Sequence, residues 1–172
     1  MTRVFRVAML LTCSTVAIAA TPQIPDAIKA PSGEKLVLKA HATGSQIYTC
    51  NTGADGIGQW TLKAPDADLH DKKGAVIGHH FAGPTWKHKD GSEVMGKASA
   101  HADSPDANSI PWLLVAATGH TGEGVFAKVS SIQRINTKGG NPPEASECDA
   151  SKSGTEVKSK YSADYYFYTP AQ

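Results

Sequence analysis

The chain runs K-Y-S-A-D-Y-Y-F-Y from Lys160 to Tyr168. In a β-strand successive side chains point to opposite faces, so this segment divides into two sets of alternate residues. One face would present four mostly aromatic side chains, Tyr161, Ala163, Tyr165 and Phe167. The other face would present Ser162, Asp164, Tyr166 and Tyr168. This alternation predicts a β-strand that turns its first face to a core.

Short alternating segments recur along the chain and are separated by Gly, Pro, Asn and Asp. No segment shows the sustained apolar period of about 3.6 residues that is typical of an amphipathic helix. The pattern therefore predicts an all-β fold, a single-domain β-sandwich or small barrel of roughly eight to ten strands. We place this β domain at residues 34–170.

The first 19 residues have the features of a secretory signal peptide in the usual order. Arg3 and Arg6 form a basic start, and an apolar run follows from Val7 to Ile18. That run is shorter than the roughly 20 apolar residues that span a bilayer, so no transmembrane segment is expected. Residues 20–33 contain three prolines and are interpreted as an extended leader. We expect a secreted or periplasmic mature protein that begins near Ala20.

The charge of the predicted mature chain argues against one class of partner. Removing Arg3 and Arg6 from the 17 Lys and Arg residues leaves 15, against 16 Asp and Glu residues, a formal charge of −1. Nucleic acid binding needs a basic surface that replaces the counterions of the phosphates. No nucleic acid partner is therefore expected.

Two cysteines, Cys50 and Cys148, remain after removal of the signal peptide. Disulfides form in the oxidising compartments to which exported proteins are sent. The sequence therefore predicts a bond between Cys50 and Cys148, and two buried free thiols are the alternative.

Candidate site residues concentrate between Gly78 and Gly91, G-H-H-F-A-G-P-T-W-K-H-K-D-G. The Gly-Pro turn inside this segment could bring His80, which precedes it, close to Trp86, which follows it. Asp90 would add a negative charge. An aromatic ring with a few polar groups suits a small polar ligand or a carbohydrate.

Arg134 is the predicted cationic member of this site. It follows a β-bulge that we infer at residues 130–131, and a bulge can redirect a side chain inward. Its guanidinium would then meet Asp90, Asp164 or a ligand. A purely structural Arg–Asp pair is the alternative.

Two further functions remain open at this point. His80 and His88 could hold a divalent metal ion, whereas neighbours such as His79 and His80 point to opposite faces of a strand and cannot both bind one ion. A structural or cell-envelope interaction protein would need no pocket. We assign no catalytic residues, because the chain lacks a G-x-S-x-G nucleophile motif, and no cofactor is expected apart from that metal ion.

Seven ordered blocks of the chain resemble a secreted bacterial and fungal family, domain of unknown function 3455. The blocks are Q-I-Y-T-C (46–50), A-P-D-A-D-L (64–69), H-F-A-G-P-T-W (80–86), D-G-S (90–92), I-P-W-L-L (110–114), I-Q-R-I-N-T-K-G-G (132–140) and A-D-Y-Y-F-Y (163–168). The resemblance covers about residues 24–168. It implies secretion and a shared fold, and it implies no particular reaction.

Overall fold

The structure is a computed structural model that describes residues 23–54 and 56–171. The predicted signal peptide, residues 1–19, and the predicted mature start at Ala20 lie outside the described residues. Both therefore stay predictions.

Eight β-strands make up nearly all of the regular structure. They are β1 (Glu34–Thr52), β2 (Gly58–His70), β3 (Val76–Phe81), β4 (Thr85–His88), β5 (Glu93–Ala102), β6 (Trp112–Thr121), β7 (Ser131–Gly139) and β8 (Glu156–Pro170). Three short 3-10 turns cover Asp26–Ile28, Ala145–Glu147 and Ala150–Lys152. The predicted all-β class is confirmed.

The strands form one sheet that closes on itself. Each strand pairs antiparallel with the next along the chain, and β8 also pairs antiparallel with β1. The closed topology corresponds to the small barrel of the two predicted architectures, and the eight strands lie within the predicted range. Closure leaves β1 and β8 without a free edge, which removes a template for pairing with other chains.

The last strand is oriented as its alternation predicts. Tyr161, Ala163, Tyr165 and Phe167 are all buried in the core inside the closed sheet. The largest contribution to folding comes from this interior, because burying one large apolar side chain contributes about 1.5–3 kcal/mol.

Part of the outer surface of the sheet is also covered. Ile28, in the 3-10 turn before β1, is buried in a second cluster with Trp112 of β6 and Ile135 of β7. The Gln133 Nε2 atom donates to the Ile28 carbonyl at 2.6 Å. This segment makes β7 a strand that is buried on both faces, which explains its nearly continuous burial.

The two ends of the closed sheet have different turns. One end contains the turns that follow β1, β3, β5 and β7 and the Cys50–Cys148 bond, and we name it the disulfide end. The other end contains the turns that follow β2, β4 and β6, and we name it the Phe126 end. Phe126 and Val129, in the loop after β6, are fully buried there and close the interior.

The region around Phe126 differs from the sequence interpretation. We inferred a β-bulge at residues 130–131, but β7 begins only at Ser131. The preceding apolar residues belong to the loop that closes the Phe126 end. Arg134 reaches the interior because it shares its strand phase with buried Ile132, so no bulge before it is needed.

Candidate functional site

The interior of the closed sheet contains a cavity of about 500 Å³. Gly83 and Pro84 of the β3–β4 turn contribute to its lining, so it extends to the disulfide end. Gly83 has a φ of 118°, a conformation that side-chain-bearing residues rarely adopt, and it allows the sharp return between β3 and β4. We name this space the Arg134 cavity. Most of its wall is apolar, including Leu62, Pro65, Ala98, Leu113 and Val115.

Stacked aromatic rings form one wall of the Arg134 cavity. His80 on β3 and Trp86 on β4 are paired across the turn, and their rings stack with centroids 4.2 Å apart and planes 6° apart. Tyr165 of β8 meets Trp86 edge to face at 5.7 Å. The expected approach of His80 to Trp86 across the Gly-Pro turn is therefore present.

His80 is uncharged in this wall. Burial lowers the pKa of His80 to about 3, and the nearby Arg134 charge acts in the same direction. The His80 Nδ1 atom lies 2.9 Å from the Thr85 carbonyl, which can only accept, so Nδ1 bears the proton. The remaining ring nitrogen of the neutral imidazole is then an acceptor.

Arg134 supplies a positive charge in the wall of the cavity. It lies in register between Leu113 on β6 and Tyr165 on β8, and all three line the cavity. One Nη atom donates to the Pro111 carbonyl at 2.9 Å, which fixes the direction of the side chain. The Nε atom is buried and has no hydrogen-bond partner within the described residues.

Gln46 of β1 is the polar group that the sequence interpretation missed. Its side chain lines the cavity and is 2% exposed, yet neither the Oε1 nor the Nε2 atom has a hydrogen-bond partner among the described residues. The pattern that could have revealed it is simple: Gln46 shares its strand phase with buried Tyr48 and Cys50. A polar residue on an inward face is unusual enough to be a site candidate.

Asp90 does not belong to the Arg134 cavity. It lies in the β4–β5 turn at the Phe126 end, where Oδ1 accepts from Ser92 N at 2.9 Å and Oδ2 accepts from Val125 N at 2.9 Å. Burial by itself would raise the pKa of Asp90, but the hydrogen bonds from Ser92, Val125 and His88 hold it well below its usual value. The strand explains the placement, because β4 advances by about 3.3 Å per residue away from Trp86.

The expected pairing of Arg134 with an aspartate is likewise absent from the described residues. Asp90 is paired with His88, at 3.0 Å between Oδ2 and Nδ1. Asp164 faces outward, where it is bonded to His41 and Asn136.

The two histidines of the metal hypothesis have different partners. His80 is bonded to the Thr85 carbonyl, and His88 contacts Asp90 and the edge of Phe126. Residues 23–54 and 56–171 contain no group of three His, Cys, Asp or Glu side chains arranged for a metal ion. A divalent ion held by His80 and His88 stays a prediction.

The predicted disulfide is confirmed and braces the disulfide end. Cys50 on β1 is bonded to Cys148 in the loop before β8, across a sequence separation of 98 residues. The Tyr48 hydroxyl also donates to the Gly140 carbonyl of that loop at 2.7 Å. These links hold the β7–β8 loop against β1, the strand that bears Gln46.

The chain matches the model of one protein family. The family model described as "Protein of unknown function (DUF3455)" matches residues 31–169. The chain belongs to this family. The match confirms the resemblance found in the seven sequence blocks, and it includes Gln46, His80, Trp86 and Arg134. No curated protein and no solved structure matches the chain. The DUF3455 description names no activity.

One further property of the described chain concerns membranes. In residues 23–54 and 56–171 there is no helix with the length and apolar character needed to cross a bilayer.

Proposed function

We propose that the protein binds a small organic ligand inside the closed sheet, in the Arg134 cavity. The observation that supports this is the combination of a cavity of about 500 Å³ with buried polar atoms that have no partner in the described chain. A buried polar group without a hydrogen bond destabilises a fold by about 1–3 kcal/mol. Such groups persist where a ligand completes their hydrogen bonds, and pockets of 300–1,000 Å³ are typical of small-molecule sites.

The lining favours a ligand with an apolar body over a carbohydrate. A sugar needs a hydrogen-bond partner for nearly every hydroxyl, because a desolvated hydroxyl without one is unfavourable. The Arg134 cavity offers few polar groups, chiefly Gln46, Arg134 and His80, between apolar walls. Of the expected ligands, a small molecule with one or two polar groups therefore fits better.

Access is from the disulfide end. Leu62 lines the cavity and is 55% exposed, and the exposed Ala98 and Lys97 lie across from it on β5. A large side chain at Ala98 would therefore fill the opening. Ala116, on the adjacent strand β6, is also exposed but does not line the cavity, which makes it a matched control position.

The test uses N-phenyl-1-naphthylamine, an uncharged dye that fluoresces in apolar surroundings. We expect the wild-type protein and Ala116→Trp to bind the dye with equal affinity, and Ala98→Trp to bind it at least about tenfold more weakly, a loss of about 1.4 kcal/mol. Thermal unfolding of both variants would confirm that they are folded. Equal binding by Ala98→Trp would contradict the proposal.

We also propose that this binding takes place outside the cytoplasm, in a secreted or periplasmic protein. The Cys50–Cys148 bond supports this location, because disulfides persist in oxidising compartments. Mass spectrometry of the protein from the extracytoplasmic fraction should give a mature chain that begins near Ala20. Finding intact Met1 in that fraction would contradict the proposed processing.

A further inference from the structure

The charge inside the Arg134 cavity is unbalanced. Among residues 23–54 and 56–171 no ion pair joins Arg134 to an aspartate or glutamate. His80, which stacks on Trp86 in the wall, is neutral at physiological pH because burial lowers its pKa to about 3. No Asp or Glu side chain lines the cavity. The lining therefore has two positive charges, Arg134 in the wall and Lys97 at the exposed opening, and no negative charge.

The geometry of Arg134 leaves part of its hydrogen-bonding edge unused. One Nη atom is bonded to the Pro111 carbonyl, whereas the buried Nε atom has no partner. A guanidinium presents its N–H groups in a planar fork that matches the two oxygens of a carboxylate. Arg134 is partly buried, and its buried Nε–H group is available to an anion in the cavity, with which it would form a charge-assisted hydrogen bond.

Gln46 adds a second polar position on the far side of β8. It extends from β1, whereas Arg134 extends from β7, so the two groups meet a ligand at different points. The free amide can donate through Nε2 and accept through Oε1. A ligand hydroxyl, which donates and accepts, would satisfy both kinds of bond.

We propose that the ligand of the Arg134 cavity is a small monocarboxylic acid with an apolar, aromatic or branched body and a distal hydroxyl. Its carboxylate is bound by Arg134, its body lies against Trp86 and Leu113, and its hydroxyl is bound by Gln46. This inference rests on the proposed function and narrows it to one class of ligand.

The test compares matched acids and alcohols. We would measure the affinity of 3-phenylpropanoate, of 3-phenylpropan-1-ol, and of 3-(4-hydroxyphenyl)propanoate by calorimetry. The wild-type protein should bind the first acid at least about tenfold more tightly than the alcohol, because charge-assisted bonds are roughly twice as strong as neutral ones. The hydroxylated acid should bind more tightly than 3-phenylpropanoate, and Gln46→Leu should abolish that gain.

Two variants of Arg134 separate charge from geometry. Arg134→Gln should remove the preference for acid over alcohol, whereas Arg134→Lys should retain part of it because the charge remains without the planar fork. Thermal unfolding of both variants would confirm that they are folded.

The outcomes distinguish this inference from the proposed function. Binding of the uncharged dye together with equal affinity for acid and alcohol would overturn the carboxylic-acid inference alone. A preference for the acid that survives in Arg134→Gln would also overturn it. Failure of every probe to bind, the dye included, would overturn both proposals.

Discussion

At the Phe126 end of the closed sheet, buried Ser92 and the neighbouring backbone amides are hydrogen-bonded to the exposed Asp90, whereas several buried polar atoms of the Arg134 cavity have no partner among the described residues. Asp90 accepts from Ser92 and Val125 and lies against His88, and Ser92 Oγ in turn accepts from the Phe126 amide at 3.1 Å. In the described chain, five buried side-chain polar atoms have no partner, and four of them belong to Gln46, Trp86 and Arg134 of the cavity. The fifth is the Trp112 Nε1 atom.

The comparison separates structural polar residues from candidate binding residues within one fold. The same eight strands run through both ends, so the difference lies in the side chains and turns. At the Phe126 end, Phe126 and Val129 of the β6–β7 loop fill the interior, and the Val125 amide of the same loop donates to Asp90. At the disulfide end the space is left open, and stability is supplied instead by a covalent bond. Substitutions at the two ends should therefore have different consequences.

The largest expected effect is loss of the Cys50–Cys148 bond. The bond closes a loop of 98 residues, and in the chain-entropy account its removal lowers the free energy of unfolding by about 4 to 5 kcal/mol. Urea unfolding of the double variant Cys50→Ala with Cys148→Ala measures this. Wild-type protein after full reduction is the control and should unfold at a similarly lowered urea concentration. An unchanged midpoint in both samples would refute a stabilising role.

The second largest expected loss of stability comes from a substitution at the Phe126 end. Asp90→Ala leaves the Ser92 and Val125 amides without their acceptor, and we expect a loss of about 2–3 kcal/mol in the free energy of unfolding. Dye binding in the Arg134 cavity should be unchanged, because Asp90 is not part of its lining. Asp103→Ala, at an exposed aspartate, is the control and should change stability by less than about 0.5 kcal/mol.

A weakened dye affinity in Asp90→Ala would contradict the view that the Phe126 end is structural and that binding is confined to the Arg134 cavity. It would mean that the two ends are coupled and that Asp90 belongs to the binding site after all, as the sequence interpretation had placed it.

The third effect is a pH dependence from His80. The unfolded chain protonates this histidine near pH 6.5, but the folded chain only near pH 3, so its contribution is fully present above 6.5 and is lost as the pH falls towards 3. At pH 5 the linkage amounts to about 2 kcal/mol of lost unfolding free energy. His80→Phe retains a ring against Trp86 and cannot be protonated.

The measurement is urea unfolding of wild type and His80→Phe at pH 7 and pH 5. The wild type should lose about 2 kcal/mol more than His80→Phe between these two pH values. The control His101→Phe, at an exposed histidine, should follow the wild type. Parallel losses in wild type and His80→Phe would show that His80 is protonated as readily in the folded protein as in the unfolded chain.

Local patterns in the sequence were enough to predict the all-β class, the buried face of the last strand and part of the site. The alternation from Tyr161 to Phe167 predicted its buried face, because side-chain direction depends only on the neighbouring residues. The Gly-Pro turn between His80 and Trp86 predicted their contact for the same reason. Two cysteines that follow a predicted signal peptide were enough to predict the bond between them.

Features that depend on distant pairing could not be predicted in this way. Closure of the sheet requires β1 to pair with β8, and no local pattern specifies that register. The position of Asp90 depends on which end of the closed sheet its turn occupies, which is a property of the whole topology. Gln46 was missed although its phase was visible, since its lack of a partner is known only once every neighbouring strand is in place.

The smallest expected change in the free energy of unfolding comes from one substitution, Gln to Leu, made at two buried glutamines. Gln46 and Gln133 are both nearly fully buried, but Gln133 donates through Nε2 to the Ile28 carbonyl and accepts through Oε1 from the Tyr168 hydroxyl at 2.6 Å. Gln46 has neither kind of bond. Replacing each by leucine removes the same amide and adds a similar apolar side chain.

We expect opposite signs from the pair. Gln46→Leu should raise the free energy of unfolding by about 1 kcal/mol, because it removes two buried atoms without partners, and residues kept for binding often reduce stability. Gln133→Leu should lower it by about 1–3 kcal/mol, because the Ile28 carbonyl and the Tyr168 hydroxyl lose their partner. Urea unfolding of both variants at pH 7 gives the two values. If Gln46→Leu destabilised the fold as much as Gln133→Leu does, Gln46 would be a structural residue. The polar side chains at the disulfide end would then be as fully hydrogen-bonded as those at the Phe126 end.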